Sequence, residues 1–132
     1  MITAVRYYSR SGNTRALAEA IAKGAGCDAI SVTAPDASWK GTVDVLFIGG
    51  AQYAYGLDRH LKKYIQELKP TKVKKAVVFS TTWLNKHSIE MLKKMLKDKG
   101  IEVEEQYLYA KNRPTPEYLE EAGKFAEEYT KD

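Results

Sequence analysis

The sequence predicts an α/β fold: a three-layer sandwich in which helices cover both faces of a five-stranded parallel sheet of order 2-1-3-4-5. Five short strand-like segments alternate with four helical patterns along the chain, and such alternation builds parallel sheets through right-handed crossovers. In the common five-stranded order the switch point lies between strands 1 and 3, with a ligand crevice at the carboxyl ends. At 132 residues, the chain is expected to be one domain over residues 1–132.

The strands are predicted from short runs of β-branched, aromatic and apolar residues that end at turn residues. They are Ile2–Tyr8, Cys27–Val32, Val43–Ile48 ended by Gly49-Gly50, Ala76–Phe79, and Val103–Tyr109 with an alternating pattern. Residues 33–42, between the second and third strands, leave room for a single turn or a poor helix.

The helices are predicted from apolar residues at helical spacing and from glycines and prolines at their ends. The first runs from Thr14 to about Lys23, with Gly24 and Gly26 closing it, and the second from Leu57 to Leu68, before Pro70. The third runs from Ile89 to Leu96, before Gly100, and the fourth begins after Pro114 and Pro116 and extends to Tyr129.

Composition excludes several classes of protein. The lone Cys27 excludes an internal disulfide and any CxxC redox or zinc framework, so no metal site is expected and redox chemistry would require a cofactor. Apolar runs fall far short of the roughly 20 residues of a membrane helix, and we expect no membrane association and a cytoplasmic location.

Charge is unevenly distributed around a net value of +4. Residues 58–99 contain 12 Lys or Arg against 4 Asp or Glu, and residues 100–132 contain 4 against 9. The lysines mostly fall on polar faces of predicted helices, and no interleaving of aromatic and basic residues or recognition helix accompanies them. A solvated face is therefore favoured over nucleic-acid binding, which ranks last.

The first strand is followed by the loop Ser9-Arg10-Ser11-Gly12-Asn13-Thr14. Short polar side chains around a glycine at a helix N-terminus suit a phosphate, because the free N–H groups there attract anions. The GxxxxGK loop of triphosphate binders and the GxGxxG of dinucleotide binders are absent, as are the Cys of phosphatases and the clustered Asp of phospho-receivers. A terminal monophosphate remains, with an ordinary N-cap and turn as the alternative.

This loop, with Tyr8 and the N-terminal strand before it, resembles the Ser/Thr-x-Ser/Thr-Gly-Asn-Thr phosphate loop of flavodoxins. The resemblance extends through strand order and loop spacing along nearly the whole chain. It implies a flavodoxin-like fold that binds FMN, with the phosphate on Ser9, Arg10, Ser11, Gly12, Asn13 and Thr14. Typical flavodoxins are strongly acidic and have a longer link between strands 2 and 3, so the short, basic chain here argues against docking onto basic redox partners.

By the same resemblance, the second and third loops hold the flavin ring. The expected contacts are Gln52, Tyr53, Ala54, Tyr55 and Gly56, and then Ser80, Thr81, Thr82 and Trp83. Aromatic rings offer flat apolar faces and raise the energy of the electron-rich reduced flavin, while Gly49-Gly50 allows close backbone approach and Gly56 is the candidate for a peptide that changes orientation. The alternative is that these aromatic residues pack at the sheet edge or on a neighbouring helix. His60 and His87 are not assigned a role.

The expected function is electron transfer by bound FMN between redox partner proteins, with no catalytic side chain. The alternative is an FMN-dependent oxidoreductase that acts on a small-molecule electron acceptor, such as a quinone or a porphyrinogen-like compound. Ala51–Gly56 loosely resembles the second loop of flavodoxin-domain protoporphyrinogen oxidases.

Overall fold

A parallel sheet of five strands forms the centre of the structure, a computed structural model that describes residues 1–53, 56–82 and 86–131. In chain order the strands are β1 Thr3–Tyr7, β2 Ala29–Ser31, β3 Val43–Gly50, the short antiparallel pair β4 Gln52–Tyr53 and β5 Gly56–Leu57, β6 Val73–Thr82, and β7 Leu108–Lys111. The central sheet has the order β2-β1-β3-β6-β7. Since β6 and β7 are its fourth and fifth strands, the predicted order is confirmed.

Four helices cover the two faces of this sheet. They are α1 Asn13–Ala25, α2 Arg59–Glu67, α3 His87–Asp98 and α4 Pro116–Tyr129, with a 3-10 turn at Pro70–Lys72. Helices α1 and α4 enclose one apolar core and α2 and α3 the other. Neighbouring residues of β3 pack into opposite cores, Leu46 on the α2/α3 side and Phe47 on the α1/α4 side. This alternation is typical of a sheet that is covered on both faces. Within the described part of the chain, no helix is both long and apolar enough to cross a bilayer.

The predicted fifth strand was wrong in its bounds. Val103 makes only an isolated parallel bridge to Ala76, and the ladder with β6 resumes at Leu108. Between them the chain leaves the sheet at Glu105 and Gln106, which are exposed. Alternating apolar residues therefore marked a segment that touches the sheet at both ends without pairing in the middle.

The first helix also differs from its prediction, because Gly24 does not end it. The helix continues to Ala25, and Gly26 supplies the left-handed cap with φ 74°. Gly24 instead lies against α4: a Cβ there would be 2.7 Å from the carbonyl carbon of Gly123. This glycine lets two helices approach closely.

Gly49 and Gly50 belong to β3, and the space beside them is filled by the protein itself. A Cβ on Gly49 would be 2.5 Å from a ring carbon of Phe79, and one on Gly50 would be 2.5 Å from a methyl of Leu61. The close approach they permit is therefore that of β6 and α2, which differs from the predicted approach of a ligand.

The link between β2 and β3 consists of turns, as its length predicted. The N–H of Ala34 donates to Ser31 O and that of Ala37 to Ala34 O. The link is held against the sheet by the buried Arg6, whose Nε donates to Ala37 O at 2.7 Å, and by the hydroxyl of Tyr64, which donates to the same oxygen at 2.7 Å.

Candidate functional site

A cleft of about 220 Å³ lies at the carboxyl ends of the strands, where the sequence placed the ligand crevice. It is lined by Arg10, Ser11, Asn13, Thr14, Ala51, Tyr53, Thr81, Thr82 and Asn112. The cleft thus brings together residues from all three predicted loops. Ala51 and Asn112 are additions that the sequence analysis missed.

The first loop places the N-terminus of α1 at this cleft. Gly12 has φ 93°, a conformation that side chains rarely adopt, and turns the chain into the helix. The loop folds on itself, because Gly12 N–H donates to Ser9 Oγ at 3.0 Å and Asn13 N–H lies 3.4 Å from Ser11 Oγ. The N-cap residue Gly12 has no side chain with which to cap α1. Asn13 and Thr14 of the first turn line the cleft, so the positive end of the helix dipole lies at the cleft.

Two buried threonines join the first and third loops at the base of the cleft. The Oγ1 atoms of Thr14 and Thr81 are 2.6 Å apart, and the residues are 1% and 2% exposed. One hydroxyl donates to the other, which leaves the second proton free to donate to a group bound above them.

Ser80 points away from the cleft. Its Oγ donates to Gly50 O at 2.6 Å and shares a hydrogen bond with Ser88 Oγ at 2.7 Å. Because successive side chains of a strand point to opposite faces, Ser80 faces the α2/α3 core while Thr81 faces the cleft. Its predicted contact with a cofactor has no support from this placement.

The second loop forms the small β4–β5 hairpin, of which Ala54 and Tyr55 lie outside the described residues, as does Trp83 of the third loop. Gly56 has φ 110°. The Oε1 atom of Gln52 is buried without a hydrogen-bond partner in the described structure. Gln52 is not among the residues that line the cleft, whereas its neighbour Tyr53 is, so its predicted contact with a cofactor has no support from this placement.

Arg10 is held beside the cleft by an interaction that the sequence analysis missed. Its Nη2 donates to Asp58 Oδ2 at 2.9 Å, and its guanidinium carbon lies 4.2 Å from the centre of the Tyr53 ring. Asp58 caps α2 by accepting from His60 N–H, and the His60 ring bonds the same carboxylate and stacks on Tyr8. The result is a guanidinium–carboxylate ion pair that joins the first and second loops.

Asp58 is 1% exposed, and burial by itself would raise the pKa of its carboxyl. The hydrogen bonds from the His60 backbone and ring and from Arg10 outweigh that effect and hold the pKa below its ordinary value. An Asp just before a helix is a recognisable cap signal, but its pairing with Arg10 joins residues 48 positions apart.

Asn112 closes the far side of the cleft. It has φ 61° and its N–H donates to Thr82 O at 3.0 Å. Asn adopts the left-handed region more readily than most residues, so an Asn directly after a strand was the available signal for this turn.

Comparison with solved structures agrees with this architecture. A flavodoxin from the domain Archaea aligns over 100% of both chains with a TM-score of 0.84 and 21% identity. Oxidised flavodoxin 1 from Bacillus cereus aligns over 98% of this chain and 97% of its own, with a TM-score of 0.78 and 23% identity. The flavodiiron protein from Giardia intestinalis matches 98% of this chain with 35% of its own, with a TM-score of 0.79 and 17% identity.

No match was found among curated protein sequences. The family model described as the flavodoxin domain matches residues 4–109, a range that runs from β1 into β7 and contains the first, second and third loops. Because this match covers most of the chain, the protein belongs to the flavodoxin domain family.

Proposed function

We propose that this protein binds FMN in the cleft at the carboxyl edge and carries electrons between redox partner proteins. The observation that carries the proposal is the uncapped N-terminus of α1 beside the paired hydroxyls of Thr14 and Thr81. Backbone N–H groups, a helix dipole and hydroxyl donors together suit a phosphate monoester.

The residues around the cleft also fit the rest of FMN. Arg10 lines the cleft as an ion pair with Asp58, and Tyr53, one face of which is covered by the Arg10 guanidinium, lines it with an aromatic ring. FMN, when bound, supplies reversible uptake and release of electrons.

The chain's own contribution is binding and orientation. Thr14 and Thr81 fix the position of a phosphate through hydroxyls that are themselves buried and joined. The ion pair with Asp58 restricts Arg10 to the cleft side. In an electron carrier of this kind no side chain is required to transfer a proton.

The test compares FMN with riboflavin, which lacks the phosphate, by quenching of flavin fluorescence. The wild type is expected to bind FMN more tightly. A hydrogen bond to a charged group contributes about 1.5–3 kcal/mol, so Thr14→Val should weaken FMN binding by about 10- to 100-fold and leave riboflavin binding nearly unchanged.

The matched control is Thr130→Val. Its hydroxyl donates to Ala126 O at the far end of α4, so neither flavin should be affected. Equal losses for FMN and riboflavin in Thr14→Val, or no quenching of FMN by the wild type, would overturn the proposal. Rapid oxidation of the reduced holoprotein by a quinone without a protein partner would favour the FMN-dependent oxidoreductase instead.

A further inference from the structure

Two lysines and two tyrosines form a patch beside the cleft, which we call the basic tyrosine patch: Lys86, Lys93, Tyr107 and Tyr109. The Lys86 Nζ lies 5.4 Å from the centre of the Tyr107 ring and 5.6 Å from that of Tyr109. The Lys93 Nζ lies 5.1 Å from the Tyr107 ring and donates to Glu105 O at 2.8 Å. The Lys86 Nζ also donates to the Tyr107 hydroxyl at 3.3 Å. The two ammonium groups are therefore positioned by a tyrosine hydroxyl, a backbone carbonyl and nearby aromatic rings.

Neither lysine of the patch has a carboxylate within 4 Å in the described structure. Other lysines do form ion pairs, such as Lys94 with Asp98 at 3.2 Å and Lys75 with Glu102 at 3.4 Å. Among the described residues, both ammonium groups of the patch therefore have a hydrogen-bond acceptor but no ion-pair partner. Two hydrogen-bonded ammonium groups without an ion-pair partner suit an anionic surface, because binding then costs little further side-chain entropy.

The patch adjoins the proposed cofactor site. The Tyr109 hydroxyl donates to Thr82 O at 3.1 Å, and Thr82 lines the cleft. Beyond Tyr109, β7 ends in the exposed Lys111 and is followed by the exposed Arg113. The basic surface thus continues along the rim of the cleft.

The helical layer on the side of the basic tyrosine patch is also more basic than the layer on the opposite face of the sheet. On the patch side, α2 and α3 together contain six Lys or Arg against three Asp or Glu. On the opposite side, α1 and α4 contain three against six. A partner with negative charge would be attracted to the α2/α3 side and repelled from the α1/α4 side, so the molecule's field would orient it toward the patch.

We propose that the basic tyrosine patch docks an acidic redox protein and brings it to the edge of the cofactor cleft. This inference rests on the proposed FMN function, and it adds that the surface of the partner is negatively charged. Tyrosine supplies apolar contact area at an interface, while the lysines set the orientation and accelerate the encounter. The acidic partner, an oxidised haem protein in the test below, takes one electron from reduced FMN as its ferric iron becomes ferrous.

The test uses two probes with the same haem and opposite surface charge: native cytochrome c, which is rich in lysine, and cytochrome c whose lysines have been succinylated to carboxylates. FMN loading is first measured by absorption, the holoprotein is reduced with dithionite, and electron transfer is followed by stopped flow. We expect the succinylated probe to react faster than the native one at low ionic strength, and its rate to fall as salt is added.

The patch variant Lys86→Gln with Lys93→Gln should slow the succinylated probe by about three- to tenfold and flatten its salt dependence. The control, Lys23→Gln with Lys40→Gln, makes the same change in net charge at exposed positions outside the patch. It should react like the wild type. Equal slowing in both double variants, or a faster reaction with native cytochrome c, would overturn the docking proposal.

Two further outcomes would also overturn it by replacing the occupant. In the first, a single-stranded oligonucleotide binds through the same two lysines and the protein does not prefer the succinylated probe over native cytochrome c. In the second, the protein self-associates as its concentration rises, and the patch variant abolishes this self-association. The FMN-loading step separates failure of the proposed function from failure of the docking proposal. If the protein takes up no FMN, the proposed function is refuted. Its docking surface is then tested by calorimetric titration with the succinylated probe, where absence of patch-dependent binding refutes the docking proposal separately.

Discussion

The contact between Gly24 of α1 and Gly123 of α4 makes a sharp prediction about stability. A Cβ added at Gly24 would lie 2.7 Å from the carbonyl carbon and 2.9 Å from the Cα of Gly123. Carbon atoms normally rest about 3.5–4.0 Å apart, so the two helices must separate by about 1 Å. A gap of that size forfeits a quarter to a half of each attractive contact along the helix pair.

The expected cost follows from two opposing effects. Gly24→Ala gains about 1 kcal/mol of helix propensity, whereas overpacking of a close contact costs about 3 kcal/mol or more when backbone must move. The net loss is about 2 kcal/mol. For a chain of this length, a loss of that size should lower Tm by roughly 6–10 °C.

Gly123→Ala is the matched control because it changes the partner glycine of the same contact. Its added Cβ would meet only Ala20 O at 3.2 Å, which a small adjustment relieves. We expect this variant to be within about 1 kcal/mol of the wild type, with helix propensity offsetting the strain. Urea denaturation of the three proteins measures both values, and equal stabilities for the two variants would refute the reasoning.

Two further predictions concern buried charged groups. The fold lowers the pKa of Asp58, so its carboxylate contributes stability that is fully present above the unfolded pKa of about 4 and is lost as pH falls through the folded pKa. In urea denaturation at a series of acid pH values, Asp58→Asn should therefore show a weaker dependence of the unfolding free energy on pH than the wild type. An unchanged dependence would contradict the pairing of Asp58 with Arg10. Arg6 is 6% exposed and donates to Ala37 O at 2.7 Å, so Arg6→Met should lose about 2 kcal/mol. The exposed control Arg15→Met should lose less than about 0.5 kcal/mol in the same assay, and a similar loss in both variants would show that burial of Arg6 contributes nothing.

The sequence by itself determined the α/β class, the strand order and the location of the cleft. These follow from short-range patterns: apolar runs mark strands buried on both faces, helical spacing marks the covering helices, and the order of elements restricts the topology. The turn at Ser9–Thr14 that leads into α1 was also predicted, because such a turn is a local structure formed by consecutive residues.

Only the tertiary structure decided which residues meet across the fold. Arg10 pairs with Asp58, Thr14 with Thr81, and Gly24 with Gly123, each across more than 40 positions. Periodicity reports how a residue is oriented within its own element and carries no information about its partner in another. For the same reason Gly24 was predicted to end a helix, whereas in the structure it lies inside α1 at a close contact with Gly123 of α4.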